Sequence, residues 1–254
     1  MIKIENHEVV GWEHAIRGMR NPKNSWERSD SGWNHNFDGV RHIGKFDYNQ
    51  NYDQNFEDES DSVFGGKFSY GLSEDFPISL GPNDYKLMTQ LAKGGPVHAK
   101  YRRMITVYVD ITAPLYWWKE FDTYKVGTVA NSCSTMHKID AKEFTMEDFS
   151  TEHLFDEDSL GVQVYSLDVF RQIIEALNIA RENFKATKDK RYWWQMIQLL
   201  PSSYNQKRTI MLNYEVLANM YYWRKNHKLD EWHDFCAWIE SLPYSEIITG
   251  GKKS

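Results

Sequence analysis

The chain has 254 residues, of which 41% are hydrophobic and 26% charged, the balance of an ordinary globular protein. Its net charge of −6 at pH 7 implies no basic face, which argues against duplex nucleic acid as a partner. Two cysteines without a C-x-x-C pattern exclude a disulfide framework and fit a reducing cytoplasm. No apolar stretch approaches the roughly 20 residues of a membrane span. The sequence therefore predicts a cytoplasmic protein without a membrane partner.

Aromatic residues are frequent, at 15% of the chain with 10 Trp. Trp and Tyr bury large areas and also stack on flat rings. The excess is therefore expected in the core, in a subunit interface or at a site for a planar ligand, with core and interface favoured.

The first half of the chain predicts two helices and a strand before its aromatic segment. Residues 8–20 mix apolar and charged positions and predict a short helix, whereas the segment near 46–66 is acidic and predicts a loop or insertion. Asn83-Asp84 is a good helix cap and Gly94-Gly95 a good stop. Residues 103–111 alternate and are rich in β-branched side chains, which predicts a strand.

The second half predicts mainly helices. Ala113-Pro114 opens an aromatic helix that is expected to end near Val126-Gly127, with Pro in the first turn. Residues 128–137 are small and polar and predict a ligand-accessible loop, and an acidic linker covers about 140–160. A short frayed tail is expected at the C-terminus. The further predicted helices span about 165–187, 190–199, 213–226 and 229–241.

The segment from His98 to His137 carries a recognisable order of residues. His98 precedes the predicted strand, Ala113-Pro114 ends it, and the aromatic helix leads to Thr123-Tyr124-Lys125. Seven residues later comes Cys133-Ser134-Thr135. This order resembles the central region of flavin-dependent thymidylate synthases. There a His, a strand, an Ala-Pro and an aromatic helix precede Arg-His-Arg, seven residues and Ser-x-Arg.

The resemblance resumes in the last quarter of the chain. The family has a Leu-Pro, two Asn spaced six apart and an Arg five residues beyond, and this chain has Leu200-Pro201, Asn213, Asn219 and Arg224. His227 and Trp232 follow, offset by about one residue from the family's His and aromatic-acidic helix start. The two blocks cover roughly residues 83–137 and 197–240, under half of the chain.

Three departures from the family pattern remove positive charge. The Arg-His-Arg triplet is Thr123-Tyr124-Lys125, which keeps one cation. The Ser-x-Arg motif is Cys133-Ser134-Thr135, which lacks the Arg, and an Arg two residues after the first Asn is Glu215. These changes affect the reaction more than the fold.

The resemblance implies an α+β fold in one domain, a mixed sheet packed by helices, assembled as a homotetramer with sites built from several subunits. It implies methylation of dUMP, or a similar pyrimidine deoxynucleotide, at C5. Methylenetetrahydrofolate supplies the carbon, and FAD, with NADPH as the source of electrons, supplies the hydride. Two alternatives stay open: a related C5 modification such as hydroxymethylation, or a non-catalytic nucleotide-binding protein on the same fold.

The resemblance also assigns candidate site residues. Arg224 would donate to a phosphate or to uracil oxygens, and Cys133, in place of the family Ser, could attack C6 as folate-only thymidylate synthases do. Both are therefore candidate catalytic residues. The other candidates on the substrate side are Glu120, Ser134, Thr135, Lys207 and Arg208. Those on the cofactor side are His98, Lys125, Asn213 and Asn219.

Each assignment has a simpler alternative. Arg224 could be a surface arginine lying along its own stem, Asn213 a helix cap and Cys133 a small buried thiol. The spacing of His137, His227 and His233 matches no zinc pattern, so no metal site is expected.

Overall fold

The structure, a computed structural model, describes residues 2–35, 39–42, 78–155 and 165–250. The predicted acidic segment near 46–66 and the last four residues of the predicted tail lie outside this part. The chain forms two compact units. The first comprises Met1–Glu8, Val107–Leu212 and Val216–Glu240, and the second Val9–Thr106, Asn213–Glu215 and Ser241–Ser254. The expectation of a single domain stays a prediction.

The described strands form two sheets. In chain order they are β1 (Lys3–Val10), β2 (Gly32–His35), β3 (Gly39–His42), β4 (Ile78–Ser79), β5 (Thr106–Pro114), β6 (Val129–Ser132) and β7 (Asn205–Asn213). The larger sheet has the order β1-β5-β7-β6 and the smaller one β3-β2-β4. β2 pairs antiparallel with both of its neighbours, and β6 pairs antiparallel with β7.

The described helices, together with these sheets, match the α+β expectation. They are α1 (Trp12–Arg20), α2 (Pro82–Lys93), α3 (Leu115–Phe121), α4 (Ser166–Thr187), α5 (Lys190–Leu199), α6 (Tyr214–Arg224), α7 (Asp230–Ser241) and α8 (Glu246–Thr249). The predicted helices at α2, α4, α5, α6 and α7 are confirmed. Within the described residues, no helix has the length and apolarity needed to span a bilayer.

Strand β6 corrects the prediction of a loop over residues 128–137. Val129 pairs with Met211 and Ser132 with Arg208 along an antiparallel register. All residues of β6 are exposed, so the strand has no buried face and lacks the apolar alternation that marks a strand in a sequence.

The prediction of a helix over 8–20 is wrong at its start. Strand β1 continues to Val10 and the helix begins at Trp12. Between them Gly11 has a φ of 91°, and a Cβ at this position would lie 2.0 Å from the carbonyl oxygen of Met104. Both conditions favour glycine, so the residue that separates the strand from the helix is fixed by backbone packing.

The boundaries of the aromatic helix also differ from the prediction. Pro114 is the last residue of β5, with extended backbone, and helix α3 begins one residue later and ends at Phe121. The Thr123 hydroxyl donates to the backbone carbonyl of Glu120 at 2.7 Å. This hydrogen bond satisfies one of the carbonyl groups at the end of the helix. Strand β5 begins at Thr106, three residues later than predicted, because Lys100–Met104 form a 3-10 turn.

The first unit has an aromatic core built by α3 and α7. Trp117 lies against Trp118, Phe121, Trp232 and Phe235, with ring centroids 4.8 to 5.6 Å apart. All five side chains are almost fully buried. The expectation that the excess aromatic residues build a core is confirmed for these residues.

The predicted linker at 140–160 is instead packed over its described part. Phe144 and Phe149 are buried in a cluster with Phe170 and Leu177 of α4 and Met196 of α5. In the second unit, Trp12 makes edge contacts with Tyr214 and Tyr244.

Candidate nucleotide site

Helix α3 and the turn after it place two polar side chains beside the last residue of α6. Arg224 Nη1 lies 2.7 Å from Glu120 Oε2. Arg224 Nε donates to the Tyr124 hydroxyl at 2.9 Å. The structure therefore brings together two of the predicted substrate residues, Glu120 and Arg224, with the tyrosine that stands in place of the family's His.

The same carboxylate oxygen collects two further nitrogens. Trp232 Nε1 of α7 donates to Glu120 Oε2 at 3.1 Å, and His227 Nε2 lies 3.2 Å from it. His227 Nδ1 accepts the backbone N–H of Leu229 at 3.2 Å. Since Nδ1 is an acceptor, the ring proton is on Nε2 and points to the carboxylate. These five residues, Glu120, Tyr124, Arg224, His227 and Trp232, form the Glu120–Arg224 cluster.

The orientation of Arg224 is fixed by aromatic faces as well as by hydrogen bonds. Its guanidinium carbon lies 4.7 Å from the ring centre of Trp232 and 5.4 Å from that of Tyr124. The side chain is 17% exposed and that of Glu120 is 35% exposed. Arg224 is therefore a held and still accessible donor rather than a solvated surface arginine.

A second group of predicted residues lies where β6 meets β7. The backbone N–H of Cys133 donates to the carbonyl of Lys207 at 2.9 Å. The Cys133 carbonyl accepts from Gln206 Nε2 at 2.8 Å, and Gln206 Oε1 accepts from Arg208 Nε at 3.0 Å. The backbone of Cys133 is thus held by β7 while its thiol is exposed, unlike the buried thiol of the simpler alternative.

The adjacent cations Lys207 and Arg208 point to opposite faces of the sheet, because side chains alternate along a strand. Lys207 Nζ lies 3.1 Å from Asp110 Oδ2. Arg208 Nη1 lies 2.7 Å from Asp122 Oδ1, and its guanidinium carbon is 4.2 Å from the ring centre of Trp118. The two cations therefore cannot serve one phosphate together from the same face.

Asp110 is held by three donors, and this predicts a stability that depends on pH. Hydrogen bonds from Thr209, Asn6 and Lys207 lower its pKa from 3.8 to about 2. The carboxylate's contribution to folding is therefore fully present above about pH 4 and is lost as the pH falls toward 2. Urea unfolding from about pH 5 downward should show a shallower loss of unfolding free energy for Asp110→Asn than for the wild type. Identical slopes would contradict this assignment.

The two thiols are expected to differ sharply in reactivity. Cys133 is exposed, whereas Cys236 is buried in α7. Burial raises the pKa of the Cys236 thiol from 9.0 to about 11. That shift alone reduces its thiolate about 100-fold at neutral pH. Iodoacetamide followed by peptide mass spectrometry should label Cys133 in the native protein and Cys236 only after unfolding in urea. Equal native labelling rates would refute this order.

The remaining predicted residues are spread over both units. Lys125 and Ser134 are exposed, Thr135 is half-buried, and the Ser134 hydroxyl accepts the backbone N–H of His137 at 3.0 Å. Asn219 is exposed on α6.

Two predicted cofactor residues, His98 and Asn213, belong to the second unit. His98 is exposed, and its ring lies close to Gly94, where a Cβ would come within 3.0 Å of a ring carbon. Asn213 Oδ1 accepts the backbone N–H of Glu215 at 3.1 Å, as a helix cap does. Its alternative interpretation as a cap is therefore part of the structure.

Solved structures share this fold over nearly the whole chain. The flavin-dependent thymidylate synthase ThyX from Helicobacter pylori, complexed with FAD and dUMP, is 14% identical, with a TM-score of 0.56 over 97% of this chain and 95% of its own. A second ThyX structure from that organism, with FAD and dUMP, has a TM-score of 0.58 over 97% and 96%, also at 14% identity. The UMP/dUMP methylase PolB from Streptomyces cacaoi, bound with 5-Br dUMP, has a TM-score of 0.53 over 98% and 94%, at 12% identity.

The chain has the fold of a flavin-dependent thymidylate synthase. No protein-family model and no curated protein matches it. The fold is thus shared with these structures at 12–14% sequence identity.

Several exposed polar side chains on this thymidylate synthase fold are of the kinds that contact FAD. A flavin ring edge needs groups that donate and accept, and a diphosphate needs cations. His98, Asn219 and Lys125 are exposed and have such groups. Glu215 carries the opposite charge to the family's Arg, and Arg102 Nη1 lies 3.6 Å from its carboxylate. Asn219 and Lys125, both in the first unit, have side chains of the kinds that a flavin edge and a diphosphate require.

Sequence reasoning missed several residues that complete the two groups. Tyr124 and Trp232 were recognised only as motif positions, although both contact Arg224. For the second group, where β6 meets β7, the sequence spacing of the residues could have shown that they lie on the same face of a helix or strand. Trp118 and Asp122 are four apart at the end of a helix, and Gln206 and Arg208 are two apart in a strand.

Proposed function

We propose that the chain methylates C5 of dUMP, with methylenetetrahydrofolate as carbon donor and FAD reduced by NADPH. The observation that carries the proposal is the Glu120–Arg224 cluster. This cluster holds the accessible guanidinium of Arg224 in a fixed plane. The chain shares its fold with structures complexed with FAD and dUMP. A fixed donor costs less entropy on binding than a mobile surface arginine.

Arg224 has the role of binding the nucleotide, and Cys133 that of the nucleophile. The Cys133 thiolate forms a bond to C6, and the electrons of the C5–C6 double bond move to C5, which becomes nucleophilic. C5 then bonds to the methylene carbon of the folate, the proton on C5 is lost and the folate nitrogen leaves, which gives an exocyclic methylene at C5. When a hydride adds to that methylene, the C5–C6 double bond re-forms and the bond from sulfur to C6 breaks. Ser134 and Thr135 lie beside Cys133 in the chain and would contact the same nucleotide.

FAD, when bound, supplies the hydride that reduces the carbon unit. His98, Asn213 and Asn219 are proposed to hold the flavin and Lys125 its diphosphate, in sites shared between the subunits of a cytoplasmic homotetramer. Tyr222 and Trp223 are each 67% exposed. Such side chains are enriched in subunit interfaces and would suit this assembly.

Hydroxymethylation at C5 is the second candidate, and the exposed Cys133 favours it. A thiol nucleophile activates C5 without help from a flavin, and water can then add to the carbon unit in place of a hydride. A nucleotide-binding protein without activity is the third candidate.

An absorbance titration with FAD, in the presence and absence of dUMP, tests the flavin assignment. We expect saturable binding with a flavin band, and added cofactor must be used because the chain keeps few of the family's cations. Absence of both the band and saturation would remove FAD and leave hydroxymethylation or simple nucleotide binding.

A further inference from the structure

The two carboxylate oxygens of Glu120 differ in their hydrogen bonds within the chain. Oε2 receives Arg224 Nη1 at 2.7 Å and Trp232 Nε1 at 3.1 Å, and His227 Nε2 lies 3.2 Å away. In the part of the chain that the structure describes, no hydrogen bond to Oε1 is made. A carboxylate that takes this many N–H groups acts as an acceptor, so Oε1 can accept a hydrogen bond from a ligand.

Arg224 offers the complementary group beside it. Its hydrogen bonds within the described residues use Nε, to Tyr124, and Nη1, to Glu120. Both N–H groups of Nη2 and the second N–H of Nη1 thus remain for a ligand. The faces of Trp232 and Tyr124 fix the guanidinium plane. A donor and an acceptor therefore belong to one ion pair, in which the Arg224 and Glu120 side chains are 17% and 35% exposed.

The charge of the cluster decides which part of a nucleotide fits this pair. Glu120 offsets the charge of Arg224, so a phosphate placed here would also meet a carboxylate at close range. A neutral base edge with a carbonyl next to an N–H meets both groups favourably. Uracil has this edge, because its ring N3–H lies between two carbonyls.

We propose that Glu120 is a specificity-determining residue. Its carboxylate accepts the N3–H of a uracil nucleotide while Arg224 donates to a neighbouring ring carbonyl. The proposal rests on the proposed function for assigning a pyrimidine nucleotide to this site. It adds that the uracil imide, and not the phosphate, is bound by the Glu120–Arg224 cluster. Cytosine has a lone pair at N3 and would be repelled by the carboxylate at that atom.

Calorimetric titration with dUMP and with 3-methyl-dUMP, which lacks the N3–H, tests the proposal. The wild type should bind dUMP at least about tenfold more tightly than 3-methyl-dUMP. Glu120→Ala removes the acceptor, and its two affinities should agree within about twofold. Glu120→Gln keeps one oxygen for Arg224 and Trp232 and turns an amide nitrogen to the ligand, so the preference should narrow there as well. Glu143→Gln, at an exposed glutamate of the same unit, should keep the wild-type ratio.

The outcomes separate this inference from the proposed function. Equal wild-type affinities for the two ligands, or an unchanged ratio in both Glu120 variants, would overturn the role of Glu120 and leave nucleotide binding intact. Tighter binding of dCMP than of dUMP would also overturn the role of Glu120. The Glu120 carboxylate would then accept from the exocyclic amine of cytosine and not from the N3–H of uracil. If no pyrimidine nucleotide binds, both proposals fall. Melting curves of the Glu120→Gln protein verify that the fold is kept.

Discussion

Replacing Arg224 with alanine is expected to weaken the binding of dUMP about ten- to hundredfold. Loss of a charged hydrogen-bond partner typically costs about 1.5–3 kcal/mol. The change also leaves the Glu120 carboxylate without its cation, which lies 2.7 Å away in the wild type. A nucleotide would then meet an unbalanced negative charge, which adds to the loss.

Calorimetric titration of both proteins with dUMP measures this effect. Arg191→Ala is a matched control, because Arg191 is an arginine of the same unit that is 86% exposed and pairs with Asp189. Its removal should leave the affinity for dUMP unchanged. If Arg224→Ala binds as tightly as the wild type, Arg224 is outside the site.

Replacing Trp117 with alanine should lower the free energy of unfolding by about 3–5 kcal/mol, the typical cost of deleting a buried tryptophan. Trp117 is fully buried and contacts four other aromatic side chains. One of them is Trp232, which also donates to Glu120. The cavity would therefore weaken the support of the candidate site as well as the core.

Urea unfolding followed by circular dichroism checks this second prediction. The control is Trp194→Ala, which removes the same side chain from a position on α5 that is 43% exposed. Surface substitutions usually change the stability by no more than about 0.5 kcal/mol. Equal losses of unfolding free energy in the two variants would show that the aromatic cluster around Trp117 does not stabilise the core. Should the Trp117 variant fail to fold, Trp117→Phe, which leaves a smaller cavity, should show a smaller loss.

The helices could be predicted from the sequence better than the strands. Helices α2, α4 and α7 have an apolar periodicity and clear ends. Strand β7 begins with the polar residues Asn205-Gln206-Lys207-Arg208, so its first half has no apolar alternation. Gln206 is nevertheless buried, and its carbonyl accepts from Trp118 Nε1 at 2.9 Å. The hydrogen-bond partner of Gln206 thus comes from a helix that is distant in the sequence. A local sequence pattern cannot show such a contact.

The candidate site was predictable as residues but not as an arrangement. Glu120 and Arg224 were both indicated by the resemblance, yet they are 104 residues apart in the chain and their ion pair is a product of folding. Tyr124 was noted only as a departure from the family triplet, yet its hydroxyl oxygen accepts a hydrogen bond from Arg224 Nε. Glu215, a second departure, lies beside the buried Arg102. Two residues that depart from the family pattern thus lie next to arginines of this chain.

Release of tritium from [5-³H]dUMP tests the central claim most directly, because any replacement at C5 must remove the hydrogen there. The protein is incubated with FAD, NADPH and methylenetetrahydrofolate, and the tritium that passes into water is counted. We predict release that depends on time and on enzyme concentration and that falls in the Arg224→Ala protein. It would be seen whether the product is methylated or hydroxymethylated. Binding of dUMP without any release of tritium would contradict the claim and leave a nucleotide-binding protein on this fold.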